Sequence, residues 1–184
     1  MLMTLRGTPF LYYGEEIGMS GMPIPRPLMV DPLGLRYWPF HPGRDPERTP
    51  MQWNLGKNAG FSSGKPWLPM ASDAKTQNVM KETFDPSSLL NWYRSLIRYR
   101  RSREALQIGN YQALSDGKDG VFSWVRFLGI DANISAANFT EHHRSLKLPE
   151  GMWKVVLSSG TVLLEEGILN LEGLGAALLE KIEG

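Results

Sequence analysis

The sequence predicts a mixed fold, an α/β part followed by an all-β part, on three observations. A β-favouring apolar run at Thr8–Tyr13 opens the first part, and a capped amphipathic helix over 85–103 closes it. From Leu106 onward the apolar period changes from three or four to two, in short runs separated by Gly, Asp-Gly and Pro-Glu-Gly turns. Short strands at such spacing indicate an antiparallel β-sandwich. The boundary between the parts is expected near Glu104, giving domains 1–104 and 105–184.

Taken in order, Met1–Arg6 suggests the last turn of a helix and lacks the basic lead and long apolar stretch of a signal peptide. Thr8–Tyr13, between Gly7 and Gly14, suits a strand covered on both faces, which needs neighbouring strands. Residues 21–70 hold ten of the thirteen prolines, a density that argues against regular helix or central strand. Their aromatic content (Tyr37, Trp38, Phe40, Trp53, Phe61, Trp67) is too high for disorder, so an ordered loop wrapped over something is expected. For the helix, Asp85 is the predicted N-cap and Pro86 the first helical residue, with Leu89, Trp92, Tyr93, Leu96 and Ile97 on one face. Arg94, Arg98, Arg100, Arg101 and Arg103 are expected mostly on its solvated surface. Eight strands follow, at 111–115, 120–128, 132–139, 145–148, 152–158, 161–165, 167–171 and 174–180. Alternation of Val121, Ser123, Val125 and Phe127 with Phe122, Trp124, Arg126 and Leu128 predicts a sheet with one well-covered face.

Composition narrows the function. A formal charge of +1 provides no field for nucleic acid or an acidic membrane, so a neutral, soluble partner is expected. With no cysteine and only His41, His142 and His143, at no helical metal spacing, neither a metal nor another cofactor is called for. A cytoplasmic setting is expected. The stretch with the most chemistry is Gly43–Asn54, where Arg44, Arg48, Asp45, Glu47, Gln52 and Trp53 are held by a glycine and two prolines. Guanidinium forks and an indole face suit a sugar ring, with its rim of hydroxyls and its apolar faces. The same groups equally suit a loop whose charges only pair with one another.

Three stretches together resemble the C-terminal part of an α-glucosidase of the α-amylase family, glycoside hydrolase family 13. Gly7–Met19 carries the pattern G-x-P-x-x-x-x-G-x-E from Gly7 to Glu16. Asp31–Pro39, Gly43-Arg44-Asp45 and Arg48–Trp53 resemble the loop that follows, and Ala59–Ser62, Pro66–Pro69 and Ser88–Tyr93 continue the register. The resemblance is close to Arg103 and one of style beyond. It implies that 1–104 is the last strand, long loop and last helix of a (β/α)8 barrel, with the site at the strand ends, followed by an antiparallel β domain. It further implies that the chain helps an α-glucosidase hydrolyse short oligosaccharides. Arg44 would stand at the non-reducing glucose subsite, paired with an upstream Asp, with Arg48 close by and Glu16 a structural strand-end carboxylate. No catalytic residue is expected here. Retaining chemistry needs two carboxyl groups about 5–5.5 Å apart, whereas Glu15 and Glu16 diverge and Asp45 and Glu47 are expected to pair with arginines. The remainder of the barrel is therefore an expected partner. The other readings are a non-catalytic carbohydrate-binding or scaffold module, or an inactive truncated fragment.

Overall fold

The computed structural model describes residues 1–182. By contacts the chain forms two units, one of Phe10–Ser95 and one of Met1–Pro9 together with Leu96 onward. No helix among the described residues is long and apolar enough to cross a membrane.

The Phe10–Ser95 unit is mostly turns. It contains two short helices, α1 (Pro32–Tyr37) and α2 (Val79–Thr83), and the first half of α3 (Leu89–Ser102). Helix α1 overturns the expectation of no regular helix in the proline-rich stretch. Pro32 occupies the first helical turn, where its missing N–H has no partner to lose, and the next proline is Pro39. The strand predicted at Thr8–Tyr13 is not formed. A strand requires a partner ladder, and in its absence Phe10 stands 83% exposed. The unit's buried apolar residues form two small clusters, Ile17, Met51 and Leu90, and Ile24, Met29 and Leu68.

Helix α3 begins later than expected. Asp85 caps a preceding turn, accepting from Ser87 N at 2.9 Å and Ser87 Oγ at 2.7 Å. The helix itself is capped by Ser88, whose Oγ accepts from Asn91 N at 3.2 Å, while the buried Glu82 Oε2 accepts from Leu90 N at 3.0 Å. A negative oxygen is favoured there by the helix dipole. Ser88→Ala is expected to cost about 1 kcal/mol, measurable as a lower midpoint in urea denaturation followed by helical circular dichroism.

In the other unit, α4 (Glu104–Gln107) leads into β1 (Asn110–Ala113), β2 (Val121–Leu128), β3 (Asp131–Asn138), β4 (Arg144–Lys147), β5 (Met152–Ser159), β6 (Val162–Glu165), β7 (Ile168–Leu171) and β8 (Ala176–Ile182). All eight expected strands are present. They form an antiparallel five-stranded sheet, β1-β2-β3-β8-β5, and an antiparallel three-stranded sheet, β4-β7-β6. One apolar cluster takes residues from both, with Val125, Ile134 and Leu179 from the larger sheet and Leu169 and Leu171 from the smaller.

Strand β2 departs from the expected single covered face, because Ser123, Trp124, Val125 and Arg126 are all buried. On the second face Trp124 Nε1 donates to Thr4 O at 3.2 Å. Arg126, fully buried, donates to the carbonyls of Leu5 (2.8 Å), Thr4 (3.3 Å), Leu106 (3.1 Å), Gly109 (3.0 Å) and Asn110 (3.1 Å). Arg100 likewise departs from the expected solvated surface. It is 9% exposed and donates to the carbonyls of Met3 (2.8 Å), Leu5 (3.3 Å) and Gly7 (2.8 Å). Burial lowers the pKa of both arginines. Neither pairs with a carboxylate among the described residues. Backbone carbonyls of the N-terminal segment and, for Arg126, of Leu106, Gly109 and Asn110 carry out the compensation.

Candidate functional site

Within the Phe10–Ser95 unit lies a cavity of about 740 Å³. Its aromatic lining is Tyr12, Tyr13, Trp53, Phe61 and Trp67, and its charged lining is Glu16, Asp31, Arg44, Asp45 and Arg48. Both predicted sugar-contacting residues, Arg44 and Arg48, therefore line one concavity, together with the Trp53 of their loop.

The Arg44 side chain is held by Asp31. Arg44 Nη2 donates to Asp31 Oδ1 at 2.9 Å, Arg44 Nε to Oδ2 at 3.5 Å, and the Arg44 backbone N–H to Oδ2 at 2.8 Å. The carboxylate is almost fully buried, whereas the guanidinium side chain is 56% exposed. Such an arrangement fixes the fork and leaves its remaining N–H groups for a ligand. Asp45 does not pair with an arginine as expected. Its Oδ2 accepts from Val30 N at 2.7 Å and Asp31 N at 2.9 Å. The two aspartates thus clasp the two ends of the segment reciprocally, Asp45 holding the backbone at Val30–Asp31 and Asp31 holding Arg44.

Glycine makes that clasp possible at two positions. Gly43 has φ +73°, and a Cβ on it would stand 2.6 Å from Asp31 Oδ2 and 2.7 Å from the Gly34 nitrogen. A Cβ on Gly34 would stand 2.7 Å from Pro42 O. No side chain fits between the two backbones at these distances.

The Arg44 hydrogen bonds hold the Asp31 carboxyl down at about 2, below the ordinary carboxylate range. Because the folded value lies below the unfolded one, the clasp contributes fully above about pH 4 and is lost as the pH falls towards 2. A carboxyl carbon NMR titration is expected to show Asp31 protonating near the lower end of that window. A midpoint at the value of a free aspartate would contradict the clasp.

The rest of the wall is fixed locally. Trp53 N and Asn54 N donate to Ala59 O at 2.9 and 3.0 Å, on a turn where Asn58, Ala59 and Gly60 all have positive φ. Asn58 Nδ2 holds that turn by donating to Ser62 O at 2.9 Å and Gly64 O at 2.7 Å. Tyr13 O–H donates to Thr49 O at 3.0 Å. Trp67 Nε1 donates to Arg48 O at 3.1 Å, and its ring meets Phe61 edge-on at 5.2 Å. Glu16 Oε2 accepts from Gly14 N at 2.8 Å, which closes the turn after the Tyr12-Tyr13 pair. The Arg48 guanidinium makes no hydrogen bond or ion pair among the described residues, and no group of three His, Cys, Asp or Glu side chains there could hold a metal.

The resemblance implied an upstream Asp as partner of Arg44, but sequence reasoning did not single out Asp31. The available signal was the spacing of two glycines, Gly34 and Gly43, behind an Asp-Pro helix start and before an Arg-Asp pair.

The chain is similar to known proteins. Residues 1–109 match the family described as Alpha amylase, catalytic domain. The chain is 32% identical over 167 residues to the oligo-1,6-glucosidase of Parageobacillus thermoglucosidasius, covering 81% of this chain and 30% of that protein. It is 34% identical over 182 residues to the glucan 1,6-alpha-glucosidase of Streptococcus pneumoniae, covering 90% of this chain and 34% of that one. Among solved structures, the alpha-glucosyl transfer enzyme XgtA superposes with a TM-score of 0.87 at 31% identity, covering 98% of this chain and 34% of the other. An isomaltulose synthase mutant from Erwinia rhapontici in complex with D-glucose gives 0.83 at 30%, covering 99% and 37%. The chain thus spans about a third of the length of the relatives it matches. With residues 1–109 matched over more than half of its length, the chain belongs to the alpha-amylase family.

Proposed function

We propose that this chain works as the C-terminal part of a retaining α-glucosidase that hydrolyses α-glucosidic bonds of short oligosaccharides. It supplies one wall of the glucose pocket, with Arg44 donating to sugar hydroxyls and Arg48 beside it, and it supplies neither catalytic carboxylate. The nucleophile and acid, about 5–5.5 Å apart in retaining enzymes, come from the part of the relatives that this chain does not span. In this reading 1–104 holds the segment Thr8–Tyr13, which pairs as the last strand of a (β/α)8 barrel only beside the rest of that barrel, with the loop and helix that follow, and 105–184 is an antiparallel β-sandwich. The substrate is a neutral sugar, without nucleic acid or membrane, and the setting is the cytoplasm.

The observation that carries the reading is the half-exposed Arg44 guanidinium, locked by a buried carboxylate at a cavity lined by Tyr13, Trp53 and Trp67. The need for the rest of a barrel is supported by the exposed apolar side chains of the same unit, Phe10 at 83% and Phe40 at 94%. The test is complementation. Co-expressed with the upstream two thirds of an oligo-1,6-glucosidase, the chain is expected to restore hydrolysis of an α-1,6-linked glucose disaccharide that neither piece cleaves alone. A soluble complex of the two without turnover would count against the reading and favour a non-catalytic binding module.

A further inference from the structure

We propose that Asn58, which does not line the sugar cavity, is a positioning residue for it and sets the spacing between Trp53 and the Phe61–Trp67 pair. The inference rests on the reading of that cavity as a glucose site and adds a residue that shapes it. The backbone at Asn58 and Ala59 has φ +50° and +49°, and Gly60 follows at +72°. Two non-glycine residues in succession are uncommon in this left-handed region, and alanine is strained there because its Cβ meets the backbone with no polar group to compensate. Such conformations persist where the surroundings over-determine them. Here Ala59 is buried and donates its N–H to Gly56 O at 3.0 Å, while Phe61 N donates to Asn58 O at 2.9 Å. A Cβ on Gly60 would run into the Asn54 amide, whose Oδ1 accepts from Gly56 N at 2.8 Å.

The strained turn acts on the cavity lining in two directions. Upstream, the Ala59 carbonyl takes both Trp53 N and Asn54 N, and Met80 N donates to Trp53 O at 2.9 Å, so the backbone of Trp53 is gripped from both sides. Downstream, Phe61 follows Gly60 directly and meets the Trp67 ring edge-on. The Asn58 amide ties the stretch between those two aromatics by donating to Ser62 O at 2.9 Å and Gly64 O at 2.7 Å. Trp53 and Trp67 are each about half exposed, so core packing does not fix their rings. Their separation is set by the backbone that carries them, and one side-chain amide holds that backbone in its left-handed turn. A sugar ring met by aromatic faces needs them at van der Waals distance, which a loosened turn no longer guarantees. Asn58 thus acts on substrate only through Trp53, Phe61 and Trp67.

The test compares Asn58→Gly and Asn58→Asp with the parent in the complemented enzyme, by steady-state hydrolysis of an α-1,6-linked glucose disaccharide with thermal melts alongside. Glycine adopts the left-handed backbone without strain and removes only the two tethers, so this variant is expected to keep a Tm near that of the parent. Its KM is expected to rise about 3–10-fold with kcat unchanged, because the substrate must then order the aromatic residues itself. Aspartate tolerates the same φ but turns a carboxylate onto two carbonyl oxygens, and its rise in KM is expected to be larger. An unchanged KM in both variants, with Arg44→Ala still lowering kcat/KM, overturns the role of Asn58 and leaves the glucose site standing. A fall in kcat and Tm with KM unchanged marks a loss of folded enzyme and overturns positioning in favour of a purely structural role. Absence of hydrolysis by the parent pair overturns the glucose reading, and the role of Asn58 with it.

Discussion

Arg44→Ala is expected to lower kcat/KM of the complemented enzyme about 10–150-fold, the effect of losing a charged hydrogen bond worth roughly 1.5–3 kcal/mol. The chain should also lose some stability, because the almost fully buried Asp31 carboxylate keeps only the Arg44 backbone N–H once the guanidinium is removed. Asp31→Asn separates positioning from contact. It keeps Arg44 but removes the charge that locks the fork, so the arginine must be ordered by the substrate, at about 0.5–1.5 kcal/mol. Its expected loss is accordingly smaller than that of Arg44→Ala, and the double variant should be no worse than Arg44→Ala alone. Equal, fully additive losses would mean that Asp31 does not act through Arg44. The measurements are steady-state kinetics on α-1,6-linked disaccharide with thermal melts alongside.

The second large effect is on stability. Arg126→Met is expected to destabilise the unit containing β2 by about 3 kcal/mol or more, because each buried carbonyl left without a donor costs roughly 1–3 kcal/mol. In a domain of this size that lowers Tm on the order of 10 °C. Removing a buried charge also relieves its desolvation, which works in the opposite direction. The five carbonyls decide the sign, since Met offers them nothing and the backbone that carries them is fixed by α4, β1 and the N-terminal segment. Arg126→Lys should fall between, with three donors in place of five. A methionine variant as stable as the parent in differential scanning calorimetry would contradict this account.

How much of this was legible in the sequence follows from the range of the interactions. The β strands were readable because alternation and turn residues act within a few positions, and Val121 to Leu128 already states its period. The Thr8–Tyr13 run has equally good local propensity yet forms no ladder, since strand pairing is not a property of one segment. The start of α3 was misplaced by three residues because Asp85-Pro86 and Ser88 are both good signals, and Glu82 tips the choice by reaching Leu90 N. Arg44, Arg48 and Trp53 could be singled out because they lie in one stiff loop of a dozen residues. The clasp partner lies 13 residues from Arg44, and Arg126 finds its acceptors at Thr4 and Leu5, more than 120 positions away. Nothing local marks the Arg126 pairing, and the only mark of the Arg44 pairing is the spacing of Gly34 and Gly43.

The most direct test of the central claim is an NMR titration with glucose of the chain in complex with the upstream two thirds of an oligo-1,6-glucosidase, following the Arg44 Nε–H and Trp53 indole N–H resonances. The account predicts that both shift saturably and with one dissociation constant, and that Arg44→Ala removes the Trp53 response. If both resonances stay fixed while glucose inhibits hydrolysis by the complemented enzyme, the clasped arginine is not a sugar ligand and the proposed function is wrong.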